Sequence, residues 1–126
     1  PMHTPTGECF VENEPGHGIQ TVLPNPLNLS ELTQVLRSLT ANKPHHSVSL
    51  TGGEPLLYHK ALKLLMPEIQ AMGLRTYLET SGTQPEFLEN VLQWTDIIAM
   101  DIKLPSATGE DSLWPQHQAF YEMAKS

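Results

Sequence analysis

The chain has 126 residues, 39% of them hydrophobic, with seven Lys+Arg against fourteen Asp+Glu for a formal charge of −7. That length supports one domain with one core, and an acidic excess with no basic cluster argues against a nucleic-acid or anionic-membrane partner, which needs Lys and Arg to neutralise phosphates. No apolar stretch approaches the roughly 18–20 residues of a membrane span and the first residues lack a signal-peptide pattern, so a cytoplasmic protein is expected; a single cysteine, Cys9, excludes an internal disulfide and any metal centre built from several cysteines of this chain.

Residues 1–27 are rich in Pro, Gly and Glu and show no helical period. Two short extended runs, Cys9 to Glu12 and Ile19 to Leu23, flank the turn-forming cluster Asn13-Glu14-Pro15-Gly16-His17-Gly18, which predicts an irregular leader with a β-hairpin. From Asn28 the pattern changes to β/α repeats, and residues 28–126 read as one core. Asn28 and Glu31 form a capping-box pattern ahead of Leu29, Leu32, Val35, Leu36 and Leu39 at helical spacing. A strand over 46–51 follows, and then a second helix marked by Leu57, Ala61, Leu64, Leu65, Ile69 and Met72, which stops at Gly73 and which Pro67 should kink or split. The second strand is Leu74 to Glu79. Thr83 with Glu86 offers another capping box, and Pro85 suits the first helical turn of a helix whose Phe87, Leu88, Val91 and Leu92 face inward. The third strand, about Asp96 to Lys103, is nearly continuous in apolar residues, as a strand buried on both faces would be. A polar loop, Pro105 to Asp111, leads to a last helix from about Ser112.

Strands alternating with helices imply an α/β fold with a parallel sheet and right-handed crossovers. A doubly wound sheet and part of a β/α barrel both fit, whereas a full barrel of about 250 residues does not. In a parallel sheet the carboxyl ends of the strands share one rim, where open α/β sheets bind small molecules. The first strand delivers Thr51-Gly52-Gly53-Glu54-Pro55, the second ends in Glu79-Thr80-Ser81-Gly82-Thr83, and the third in Asp101-Ile102-Lys103. Glycines allow close backbone approach to a guest, and Glu54 favours an ammonium group over a phosphate, which would be met by bare amides and usually a lysine. Acids, hydroxyls and one lysine on a single edge suit a zwitterionic or polyhydroxyl guest. Each has a plainer reading: Glu54 could cap the following helix, Glu79 to Thr83 could be a turn and cap, and Asp101 with Lys103 could be a surface ion pair.

The segments SLTGGEPLL, YLETSGT and DIIAMDIKLP, in this order on three strand ends, resemble the radical S-adenosylmethionine (radical SAM) superfamily, particularly the branch around 7-carboxy-7-deazaguanine synthase and pyruvate formate-lyase activating enzymes. The resemblance covers about residues 28–126. It implies a partial, TIM-like (β/α) barrel and an oxidoreductase, synthase or activating enzyme. Such enzymes use a four-iron, four-sulfur cluster to cleave S-adenosylmethionine into a 5′-deoxyadenosyl radical that abstracts a hydrogen atom. By the same resemblance Gly52, Gly53, Glu54 and Pro55 would receive the methionine amino group, Glu79, Thr80 and Ser81 would approach its carboxylate or the ribose, and Asp101 and Lys103 would line the cofactor or substrate side.

The chain departs from the family in one respect: the CxxxCxxC element is absent, and cluster ligation needs cysteine thiolates that Cys9 alone cannot supply. Cys9 lies in ECFVE and reads as a small apolar filler or free thiol. The economical expectation is a fragment, with the first strand and cluster loop upstream of Pro1 and the last strands beyond Ser126, unable to perform radical chemistry by itself. The six histidines, His3, His17, His45, His46, His59 and His117, share no ligand spacing, so a dedicated histidine metal site is not expected. No GxSxG elbow surrounds any serine, and Trp94 and Trp114 read as packing residues. Two rivals stand beside the leading reading: a non-catalytic α/β binding module without a cluster, and a plain β/α lyase or isomerase with Glu54 and Lys103 as acid and base. A truncated barrel would expose sheet edges, from which a homodimer is expected. The substrate, a small molecule or a protein, is not readable from these residues.

Overall fold

The computed structural model describes residues 7–14, 16–102 and 113–126. It divides into two compact units, Pro1–Pro44 and His45–Ser126, so the boundary lies after the first helix. In the first unit, β1 (Glu8–Glu12) and β2 (Gln20–Pro24) form an antiparallel hairpin with Cys9 opposite Leu23 and Val11 opposite Thr21. Helix α1 (Leu29–Thr40) begins at Asn28, whose side-chain oxygen accepts from the Glu31 amide at 2.8 Å while its own amide donates to the Glu31 carboxylate at 2.8 Å. This is the anticipated capping pair, with Glu31 reaching the Asn28 side chain instead of its backbone N–H. The apolar stripe has the anticipated phase, yet α1 buries none of its residues fully.

The second unit carries the α/β architecture. Strands β3 (Ser47–Leu50), β4 (Arg75–Thr80) and β5 (Ile97–Met100) form a parallel sheet in the order β3-β4-β5, with Leu50 beside Leu78 and Leu78 beside Ile98. Between them run a short 3-10 turn (Pro55–Tyr58), α2 (His59–Ala71), α3 (Pro85–Glu89) and a second 3-10 turn (Leu92–Trp94); α4 (Trp114–Ala124) follows β5. One core cluster unites Leu56, Leu62, Met66, Leu78, Leu88, Val91 and Phe120. Since α2, α3 and α4 all contribute to the cluster that holds Leu78, the three helices cover one face of the sheet. On β4 that face carries buried Thr76, Leu78 and Thr80, while Arg75 and Glu79 on the other face are exposed and Tyr77 is half-buried.

Three local expectations are corrected. The buried positions of α2 are Leu62, Met66 and Ile69, whereas Leu64 is 61% exposed: the residues preceding 59 belong to a 3-10 turn with a different angular step, so a single helical phase drawn from Leu57 onward misassigns the face. Pro67 does not split α2, which runs through it; the carbonyl that its missing N–H would have served belongs to exposed Lys63, where water can take its place. Thr83 does not cap α3. The cap position is Gln84, without a side-chain bond, and the Thr83 hydroxyl is 2.9 Å from that of Ser81. In addition β5 is half-buried along its length instead of enclosed on both faces, because helices cover one face only. The end of α2 is as anticipated: Gly73 (φ 79°) donates to Gln70 O at 2.9 Å and Leu74 to Ile69 O at 3.3 Å, the two bonds of a Schellman cap.

At the amino ends of the strands Asp96 ties β5 to β4. Its carboxylate accepts from the Thr76 amide at 2.9 Å, the Thr76 hydroxyl at 3.2 Å and Gln70 Nε2 at 3.2 Å. These bonds, the Thr76 amide foremost and with Arg75 nearby, hold the Asp96 carboxyl below its ordinary range against a smaller opposing effect of desolvation. A carboxyl held low in the fold contributes its stability above the unfolded value of about 3.9 and loses it as pH falls through the lower folded value. Asp96→Asn should therefore cost about 1 kcal/mol near neutrality, a modest figure because the group is exposed. Denaturant titrations should show the difference shrinking below about pH 4; a difference independent of pH would refute the assignment.

Candidate functional site

The strand tips anticipated from sequence meet on one edge of the sheet. β3 passes into Thr51-Gly52-Gly53, where Gly52 adopts φ 132° and a Cβ placed on it would meet nothing within 4 Å. The loop thus has a backbone conformation that favours glycine, with open space beside Gly52. Glu54 then turns back toward β4. Its Oε1 accepts from the Thr80 hydroxyl at 2.6 Å and from the Leu56 amide at 3.2 Å; its Oε2 accepts from the Ser81 amide at 2.8 Å and the Ser81 hydroxyl at 2.7 Å. The bond to Leu56 caps the 3-10 turn that Pro55 opens, so the capping role is real, and the other three bonds link two strand tips across 26 and 27 residues of sequence.

All four donors are neutral, so none of the bonds to this half-buried carboxylate is an ion pair. Glu79 lies on the open face, exposed, and accepts from the Thr51 hydroxyl at 2.9 Å. Thr80 is 3% exposed with its hydroxyl directed to Glu54. Asp101 extends the ladder, its amide donating to Thr80 O at 2.8 Å, and is exposed. Lys103, the loop Pro105 to Asp111 and His3 lie outside the described residues. The sheet edge therefore brings together Glu54, Thr80 and Ser81 directly, with Gly52 in the loop before Glu54 and Glu79 and Asp101 on neighbouring positions.

Two contacts are not legible in the sequence. Thr51, within the anticipated strand tip, bonds Glu79, and His117, on α4, places Nδ1 3.0 Å from Gly82 O. The strand end marks Thr51 but not its partner, and nothing in the spacing around His117 points to the β4 tip. Among the described residues no group of three or more His, Cys, Asp or Glu stands close enough to hold a metal ion, and no helix is long and apolar enough to cross a membrane.

The chain is similar to a 7-carboxy-7-deazaguanine synthase of Geobacter sulfurreducens, 38% identical over 128 aligned positions that take in 100% of this chain and 51% of the relative. A synthase of the same name from Thermococcus kodakarensis is 39% identical over 84 positions, 67% of this chain and 33% of the relative. A (2S)-3-sulfopropanediol dehydratase activating enzyme of Klebsiella oxytoca is 40% identical over 57 positions, 44% of this chain and 18% of the relative. The chain spans about half the length of the first of these relatives and less of the others. No family model and no solved structure matches it.

Gly82 adopts φ 71°, and an added Cβ would lie 2.5 Å from Met100 Cε and 2.6 Å from Met100 Cγ. Gly82→Ala should therefore cost about 1–2 kcal/mol from the positive φ alone and shift the turn that carries Ser81. Thermal unfolding together with the Ser81 amide chemical shift checks both; an unchanged shift would mean that Met100 yields and the turn does not.

Proposed function

Proceeding from the membership of this chain in the radical S-adenosylmethionine superfamily, on the branch of the 7-carboxy-7-deazaguanine synthase-like proteins, we propose that it forms the S-adenosylmethionine-holding rim of a radical enzyme. The observation that carries the reading is the Glu54 carboxylate at the end of the glycine loop, whose four hydrogen-bond donors are all neutral. An ammonium group presented there would be attracted by the carboxylate. A phosphate would meet repulsion.

In this proposal Gly52, Gly53, Glu54 and Pro55 receive the amino group of the methionine part. Thr80 and Ser81 hold Glu54 in place, and Ser81 with Glu79 faces the carboxylate or the ribose; the exposed carboxylate of Glu79 suits the ribose diol better than another carboxylate. Asp101 and Lys103 line the cofactor or substrate side. The one-sided sheet, with β3, β4 and β5 in sequence order, is taken as part of a partial (β/α) barrel whose lumen is the face of Tyr77 and Glu79. The residues present fit S-adenosylmethionine. They do not fit a four-iron cluster, because Cys9 is the single cysteine, so the cluster thiolates are assigned to residues outside this sequence. When bound to such a cluster, S-adenosylmethionine supplies on reductive cleavage a 5′-deoxyadenosyl radical that abstracts a hydrogen atom. The product class named for the seven synthase relatives, 7-carboxy-7-deazaguanine, is the proposed one here. A second reading is an α/β binding module that lacks a cluster.

The natural full-length polypeptide, reconstituted anaerobically with iron and sulfide, decides between them: a cluster signal in electron paramagnetic resonance supports the enzyme, and its absence supports the module. Removing the charge by Glu54→Gln should weaken S-adenosylmethionine binding roughly tenfold to a hundredfold by calorimetry. An unchanged affinity would overturn the role given to Glu54.

A further inference from the structure

We infer that His117 is a positioning residue for the strand-tip site, acting on Glu54 through the turn that carries Ser81 and Gly82. His117 lies on α4 and is 4% exposed. Its Nδ1 is 3.0 Å from the Gly82 carbonyl, and because a carbonyl oxygen only accepts, Nδ1 must carry the hydrogen. In the neutral ring that leaves Nε2 as an acceptor, and Nε2 is buried with no hydrogen-bond partner among the described residues. A ring placed for packing alone would be better served by phenylalanine, which has no polar atom to leave unmatched. What the histidine supplies, and a phenyl ring does not, is the donor at Nδ1.

That donor acts on the segment that organises Glu54. Gly82, at φ 71°, donates its own amide to the Thr80 hydroxyl at 3.3 Å, and the same hydroxyl donates to Glu54 Oε1; the Ser81 amide and hydroxyl donate to Oε2. His117 therefore anchors the carbonyl end of a short turn whose amide end holds both oxygens of the carboxylate. The ring is itself held by an edge contact with Trp114, centroids 6.0 Å apart at 72°. Met100, whose side chain would be struck by any Cβ on Gly82, closes the turn from β5. Residues from β4, β5, α4 and the loop after β3 thus surround one short turn.

The part of this inference that concerns ligand binding rests on the S-adenosylmethionine reading above. The test uses the natural full-length protein with two substitutions: His117→Phe keeps the ring and removes the donor, and His117→Asn keeps a donor near the Nδ1 position and removes the ring. Hydrogen exchange at the Ser81 and Gly82 amides and S-adenosylmethionine affinity are both measured. His117→Phe should speed exchange at these two amides and weaken binding, each roughly tenfold, with α2 amides unaffected; His117→Asn should restore both despite a lower melting temperature. Equal behaviour of the two variants, or wild-type exchange in His117→Phe, would overturn the inference. Should His117→Phe not fold, His117→Leu takes its place in the comparison. If the unsubstituted protein binds no S-adenosylmethionine, the functional reading fails, and the exchange pattern still decides for or against His117.

Discussion

The arrangement of the rim depends on hydrogen bonds converging on one carboxylate. Parallel pairing alone sets β3 beside β4, but it does not determine how the chain leaves β3 after Thr51. The bonds from Thr80 and Ser81 to Glu54, at 2.6 to 2.8 Å, are of the charge-assisted kind and draw the loop over the end of β4. Every donor is neutral, so the carboxylate organises the loop without an ion pair. A lysine or arginine in the same position would have built an equally firm tie and an electrostatically silent site.

The one-sided covering of the sheet determines what the rim can face. With α2, α3 and α4 all on the side of Leu78, the side chains of β4 alternate between an apolar core and an open face that carries Arg75, Tyr77 and Glu79. A doubly wound sheet would have enclosed that second face with further helices. Here, among the described residues, Arg75 and Glu79 on that face are exposed, and the Thr51–Glu79 bond lies on it. The chemistry of the strand tips and the chemistry of this face therefore form one continuous polar region.

Much of this fold is legible in the sequence because its signals are local. Strand ends are marked by Gly52 and Gly82, α1 by Asn28 and Glu31, and the end of α2 by Gly73, and each signal works through the backbone of its own segment. The misread features are those settled by neighbours. The phase of α2 depends on a 3-10 turn that Pro55 and Glu54 impose just before it. Thr83 is a capping residue by pattern, but its hydroxyl is engaged by Ser81, which is in turn engaged by Glu54. The site residues Glu54, Thr80 and Ser81 were legible as a cluster, while the tie from His117 was not, since 35 residues separate it from Gly82 and no periodicity records it.

Two carboxylates of this unit show how the same kind of bonding fastens opposite ends of a parallel sheet. Asp96 and Glu54 each accept several bonds from β4 or the turn that follows it, at opposite ends of the strand. Around Asp96, which is exposed, the donors include a side chain from α2, Gln70, which also reaches Trp94 O, so the bonds join β4, the start of β5 and a helix. Around Glu54, which is half-buried, every donor but the Leu56 amide comes from the end of β4 or the turn after it, so the bonds join two strand tips. The difference lies in which segments each carboxylate joins: at Asp96 a helix is drawn to the sheet, and at Glu54 one loop is drawn to the next.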